Sequence, residues 1–275
     1  MFGKRNSRTE KVALGARLLL PLICSKCLAL TAIFAILFCS SPAQSAPKND
    51  VEWYKSAGNR SERWDSLVQS GFEALDSGNF NTALTFLMRA HGKGCRDGLL
   101  LYKIGIYHEV EGNTRKALQW FQKAEGPLNA DYPTHPATLG LPERFGTIYF
   151  VQDDYDKALG FLEQAVQKQG GNFMRHFLIG QIYGMKKDWS KAAISLESAL
   201  QYDPPGATHI QPRKQVWIEL MRASFELEQW KRVLEISDKI LEFEPGNPAA
   251  HAYRQKVQEM ENQKRERELM ERIVQ

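Results

Sequence analysis

The chain has 275 residues, 43% of them hydrophobic, 25% charged and 11% aromatic, a balance that excludes a largely disordered, collagen-like or disulfide-scaffold protein. The formal charge of +4 is unevenly spread: residues 1–46 carry six Lys or Arg against one acid, and the remainder holds 30 basic and 31 acidic side chains. The basic excess belongs to the leader, so the rest has no net attraction for phosphate, and nucleic acid is excluded as its main ligand.

Residues 1–46 read as an export signal. A basic start precedes a 12-residue apolar run from Cys27 to Phe38, then small and turn-forming residues, with cleavage expected after Ser45 or Ala46. The run is short of the roughly 20 residues that span a bilayer. Extending it back to Leu18 places Pro21 and Lys26 inside the span, and a central Lys costs about 2.5–3.5 kcal/mol. A cleaved signal is favoured; an uncleaved membrane anchor is the alternative, and an organelle transit peptide a third. Cys24 and Cys27 form a C-x-x-C with no second ligand pair, so neither metal nor redox chemistry is expected of them. Cys39 follows Phe38, where lipoprotein processing needs a small residue. After cleavage Cys95 alone remains, and a buried, inert thiol is the expectation.

Residues 47–63 form a polar lead-in with Trp53 and Trp64 at its end, one of which is expected to pack on the neighbouring segment. From Trp64 the sequence repeats itself. Ala83, Ala117, Ala158, Ala192 and Val233 are separated by 34, 41, 34 and 41 residues. Twelve residues before each lies Gly71, Gly105, Gly146, Gly180 or Met221. Three before sits Phe80, Thr114, Tyr155, Trp189 or Trp230, and seven after comes Ala90, Ala124, Ala165, Ala199 or Ile240. A 34-residue period over 64–247, with two seven-residue insertions, marks a repeat architecture.

These residues resemble the tetratricopeptide repeat (TPR) family, in which each unit is a pair of antiparallel helices. The resemblance implies an all-α, right-handed solenoid of about five helix pairs, in units near 64–97, 98–131, 139–172, 173–206 and 214–247, closed by a capping helix and charged tail over 248–275. The residues support that pattern on their own. Apolar stripes such as Ile104 and Tyr107 with Leu118 and Phe121 must face one another, and the small residues let paired backbones approach to about 8–10 Å. Asn79, Asn113, Asp154 and Asp188 precede the second helices, where each is expected to cap a free backbone N–H. Pro204 and Pro245 fall just after second helices, and Gly170–Gly171 reads as a helix end before Asn172. The insertions, Gly126–His135 and Pro204–Gln211, are rich in turn formers and are expected to lengthen the links between units. Their alternation suggests units acting in pairs.

Pro248 opens a helix whose Tyr253, Val257 and Met260 can cover the end of the last unit. Beyond it, Glu261–Arg265, Lys264–Glu268 and Glu268–Arg272 stand at helical spacing, and Leu269, Met270, Ile273 and Val274 leave room for self-association through the tail.

The sequence offers no catalytic constellation. Six scattered histidines include no i, i+4 pair to hold a metal, and a serine nucleophile elbow, a phosphate-cradling loop and a zinc cysteine set are all missing. No enzyme activity, cofactor or metal is expected; an enzyme or small-molecule binder with an unrecognised site is the alternative. The resemblance instead implies a concave groove lined by first helices. Its inward positions on this chain are Val68 and Phe72; Tyr102, Lys103 and Ile106; Glu143, Arg144, Thr147 and Phe150; Phe177 and Gln181; and Ile218, Arg222 and Phe225. In that groove an extended or helical peptide would place apolar side chains in pockets while Lys103, Arg144, Gln181 and Arg222 fix its polar groups. The family's carboxylate-gripping set of Lys, Asn and Arg is incomplete here, so that activity is not assigned. The expected role is an exported, periplasmic scaffold for a protein or peptide, touching membrane only if the leader is retained. In bacteria, proteins of this kind serve pilus, secretion, polysaccharide-export or respiratory-complex assembly.

Overall fold

The computed structural model describes residues 49–57, 60–202 and 210–274. The leader and most of the Pro204–Gln211 insertion lie outside the described residues. Those described form twelve α-helices and no strand. A short lead-in helix α1 (Asp50–Ser56) precedes five helix pairs: α2 (Asp65–Asp76) with α3 (Phe80–Gly92), α4 (Gly98–Val110) with α5 (Thr114–Asp131), α6 (Pro136–Val151) with α7 (Tyr155–Gln169), α8 (Phe173–Met185) with α9 (Trp189–Tyr202), and α10 (Ile210–Glu226) with α11 (Trp230–Phe243). The long α12 (Pro248–Val274) closes the order. Each helix packs on its successor, and α12 lies against both α10 and α11.

The close approach within each pair rests on one register position. A Cβ on Gly71 would stand 2.5 Å from Leu87, on Gly105 2.6 Å from Phe121, on Gly146 2.7 Å from Leu162 and on Gly180 2.7 Å from Leu196. In four units, therefore, a large side chain of the second helix fills the place of the missing one. The fifth unit reverses the sizes. Its first helix carries Met221 and its second carries Ser237 at the position of those Leu and Phe residues, and both are buried. The departure of the last unit from the pattern is thus an exchange of volume between the same two register positions. The repeating Ala83, Ala117, Ala158, Ala192 and Val233, and Ala90, Ala124, Ala165, Ala199 and Ile240, are all buried as the spacing requires.

The turn inside each pair is also the same five times. The residue closing it has positive φ: Gly78 (72°), Gly112 (74°), Asp153 (62°), Lys187 (60°) and Glu228 (57°). The next amide reaches back five residues, from Asn79 to the Ala74 carbonyl at 2.7 Å, and likewise Asn113 to His108, Asp154 to Tyr149, Asp188 to Tyr183 and Gln229 to Ser224. This left-handed helix stop satisfies carbonyls that the helix leaves open. Three units tolerate it without glycine, at about 1–2 kcal/mol each for the crowded Cβ. The expected caps on the second helices divide. Asp154 and Asp188 accept from the amides of Lys157 and Lys191, both at 3.3 Å, whereas Asn79 and Asn113 make no side-chain cap bond. In those units the backbone turn already holds the chain.

One expectation about the insertions changes. Gly126–His135 does not form an open link: α5 runs on through Pro127 to Asp131, burying Leu128 and Tyr132. The added turn crosses the start of α4 so closely that a Cβ on Gly98 would lie 2.6 Å from the Leu128 nitrogen. Burial of two large side chains outweighs the hydrogen bond that Pro127 cannot donate. His135 then caps α6 through the Ala137 amide at 3.0 Å, ahead of Pro136 at the first helical position. One cluster of buried apolar residues runs from Val51 to Ile148 and another from Phe177 to Val257, and outside both Ala158, Leu162 and Ala165 of α7 and Leu178, Ile179 and Ile182 of α8 are buried at the junction of the third and fourth units. The lead-in also differs from expectation. It is helical, and both Trp53 and Trp64 pack against the first cluster.

Replacing Met221 by Gly should lower stability by about 2–4 kcal/mol through the cavity it opens. The double substitution Met221→Gly/Ser237→Leu, which installs the arrangement of the other units, should recover most of that loss in chemical denaturation.

Candidate functional site

The first helices share a face. Those of the third, fourth and fifth units touch in sequence order, α6 on α8 and α8 on α10. Counting from the start of each unit, the ninth residue marks the middle of this face: Phe72, Ile106, Thr147, Gln181 and Arg222. Phe72 is completely buried, Ile106, Thr147 and Gln181 are half-buried, and Arg222 is exposed. Repeats alone would give five similar exposures. Helix α1 breaks the equivalence by lying on the first-helix side at the N-terminal end.

Its contacts are specific. Asp50 pairs with Lys103 of α4 at 2.6 Å and with the His135 Nε2 at 3.2 Å. The Trp53 ring stands edge-on to His135 with centroids 5.1 Å apart, and Tyr54 stands edge-on to Phe72 at 6.1 Å. The Tyr54 hydroxyl donates to Asp65 at 2.6 Å. Burial would raise the Asp50 carboxyl, but the His135 hydrogen bond and the Lys103 charge overcome it and bring the pKa down to about 2. Burial and the Asp65 carboxylate push the Tyr54 hydroxyl far above its ordinary value.

Further along, ion pairs join the first helices. Arg144 of α6 donates to Glu109 of α4 at 2.7 Å, and burial holds the Glu109 carboxyl above its ordinary range. Arg175 of α8 reaches Glu143 of α6 through two nitrogens at 2.9 and 2.7 Å, and also the Gly170 carbonyl at 2.7 Å. Arg175 is 5% exposed. This pair sits at the junction of the third and fourth units.

The positions expected to line a groove therefore divide three ways. Val68, Phe72, Tyr102 and Phe177 are buried and form part of the helix packing, with no side-chain surface to offer. Close helix spacing and the cover of α1 place them there. Lys103, Glu143 and Arg144 point along the face but are neutralised by Asp50, Arg175 and Glu109, so the two cations do not stand free for a partner's polar groups. Ile106, Thr147, Phe150, Gln181, Ile218 and Phe225 are half-buried, and Arg222 is exposed. Phe150 lies beside Tyr155 with ring centroids 6.1 Å apart, and Thr147 spends its hydroxyl on the Glu143 carbonyl at 2.9 Å. Arg222 stacks over Trp189 at 5.3 Å, and Phe225 lies edge-on to Trp230 at 5.0 Å and to Tyr253 of α12 at 5.4 Å. Asp50, Tyr54, Glu109, His135 and Arg175 were not among the expected site residues. Glu109 with Arg144 and Glu143 with Arg175 lie 35 and 32 residues apart, close to one period, a charge pattern the sequence does contain.

Among the described residues, no group of three or more His, Cys, Asp or Glu side chains is placed to hold a metal, and no helix is long and apolar enough to cross a membrane. Cys95 is buried, its thiol pushed up to about 11 by burial.

Solved structures resemble this arrangement. YrrB, described as a TPR protein with an unusual peptide-binding site, superposes with a TM-score of 0.55 at 18% identity, over 73% of this chain and 96% of its own. A tetratricopeptide repeat protein from Parabacteroides merdae gives 0.52 at 14% identity, over 74% and 75%. The chain has the tetratricopeptide repeat fold. The 41-end segment of MamA from Desulfovibrio magneticus RS-1 matches it at 0.53 and 20% identity, over 68% of this chain and 98% of that one. No family model matches the sequence, and no curated protein does.

Two outcomes test the electrostatics of the tetratricopeptide face. Arg175→Met should cost about 3 kcal/mol, because Glu143 is left unpaired at a buried junction, and adding Glu143→Leu should restore part of the loss in a double-mutant cycle. The lowered Asp50 value contributes stability that is present above about pH 4 and lost as pH falls toward about 2. Wild type should therefore lose about 2 kcal/mol more than Asp50→Asn across that window, read from urea midpoints at each pH.

Proposed function

We propose that this chain is a noncatalytic scaffold that holds a protein or peptide partner on the first-helix face of its third to fifth units, as an adaptor or assembly factor of the cell envelope. The supporting observation is the gradient along the ninth register position, from Phe72 with no exposure to exposed Arg222. The N-terminal end of the face is covered by α1, while half-buried Ile218 and Phe225 flank Arg222, a cation that stacks on the Trp189 ring. Aromatic and Arg side chains so grouped are the ones that dominate binding energy at protein interfaces. YrrB offers a precedent for peptide binding on this fold, through its description as a protein with a peptide-binding site.

Export is part of the proposal and rests on residues 1–46. N-terminal sequencing of the protein recovered from cells should begin near Ala46 or Pro47; a start at Met1 favours the anchored form, with the same face held at a membrane surface.

Affinity capture from envelope extracts should recover a main partner with wild type and about tenfold less of it with Ile218→Ala/Arg222→Glu. Both substitutions lie at half-buried or exposed positions, so the melting temperature should hold. Equal recovery would remove this face as the binding surface.

A further inference from the structure

The cover on the first two units has the form of a bound ligand. We propose that the first-helix face of units one and two is a second recognition site, for a helical segment carrying a carboxylate one turn ahead of two adjacent aromatic residues, and that α1 is its resident and displaceable occupant. This goes beyond the scaffold reading, which concerns the third to fifth units.

Three observations carry it. Phe72, which lies against Tyr54 of α1, is completely buried, whereas Ile106, Thr147 and Gln181 at the same register position of the next three units are half-buried. The contacts are made by three side chains at i, i+3 and i+4 of one helix face, with His135 shared by the first two. Asp50 meets Lys103 and His135, Trp53 meets His135, and Tyr54 meets Phe72 and Asp65. Carboxylate, indole and phenol therefore share a site built from α2, α4 and the turn before α6. Lastly, α1 is only seven residues long, below the length at which an isolated helix holds its shape in water. It keeps its form because it is seated, and it is seated partly because a short connection to α2 gives it a high local concentration.

That tether sets the scale of competition. Joining two elements through a few residues of chain supplies an effective concentration near the millimolar range. A free peptide of the same chemistry must overcome that advantage, but a partner that also engages the open end of the face does not have to do so with this motif alone. The charge arrangement selects the acid: a basic residue in place of Asp50 would face Lys103 and His135 without a counter-charge.

The test uses the full chain and a fluorescent peptide with the sequence of residues 49–57. Trp53→Ala/Tyr54→Ala in the chain weakens the resident helix and leaves the seat intact. Anisotropy should show the peptide binding this variant at least about tenfold more tightly than wild type, and a peptide carrying Asp50→Lys should bind neither. Adding Lys103→Glu to the variant should abolish binding of the natural peptide and restore binding of the Asp50→Lys peptide. Far-UV circular dichroism and the melting transition report that the repeat body stays folded. A folded variant that does not bind the peptide, or equal binding by wild type and variant, would overturn the proposal. The Ile218→Ala/Arg222→Glu substitutions should leave peptide affinity unchanged, which separates failure here from failure at the open end of the face.

Discussion

Everything in this architecture depends on how near two helices of one unit can come. A helix pair this short cannot hide its apolar stripes unless its backbones nearly touch, and they touch because one residue has no side chain where its partner has a large one. Gly71 against Leu87, Gly105 against Phe121, Gly146 against Leu162 and Gly180 against Leu196 make the same bargain four times. Met221 and Ser237, both buried, stand at the same two positions with the sizes exchanged. The constraint is on the sum of two volumes, which is why either residue can be the small one. Once each pair is formed, its outer flanks remain apolar and must be covered by the next, and the last is covered by Ala250 and Val257 of α12.

Against this repetitive background the polar contacts give the chain its individuality. Arg144 with Glu109 and Arg175 with Glu143 tie successive first helices together, and Lys103 with Asp50 ties the lead-in helix to α4. Apolar packing is indifferent to small slides, whereas a short ion pair at a buried junction fixes one register. The Arg175 contacts add directional bonds to the apolar packing at the junction of the third and fourth units, where Leu178, Ile179 and Ile182 are also buried.

The sequence disclosed the helix pairs and their order because the period is written in residue size, which a linear reading can detect. Phe80, Thr114, Tyr155, Trp189 and Trp230 begin the five second helices at the spacing the alanines imply. The state of the face was less legible. Whether Phe72 is exposed depends on Tyr54, which lies outside the period, in a segment of two helical turns too short to display its own periodicity. Lys103 and Arg144 could be placed on the right face from register, but their neutralisation depended on acids one unit away or in the lead-in. The extension of α5 was hidden for another reason: Pro127 and its neighbours have the composition of a turn, and only the burial of Leu128 and Tyr132 shows the helix carrying on.

The identical helix stop inside every unit has a bearing on how such a chain can change length. Because the amide after Gly78, Gly112, Asp153, Lys187 or Glu228 must reach a carbonyl five residues back, a residue gained or lost inside that turn would break the bond and misalign both helices. The described joints between the first four units differ from one another, and both seven-residue additions lie after the body of a second helix and before the next first helix. Growth and shrinkage are thereby channelled to the seams, so that whole modules can be duplicated, deleted or grafted while every surviving hairpin keeps its shape.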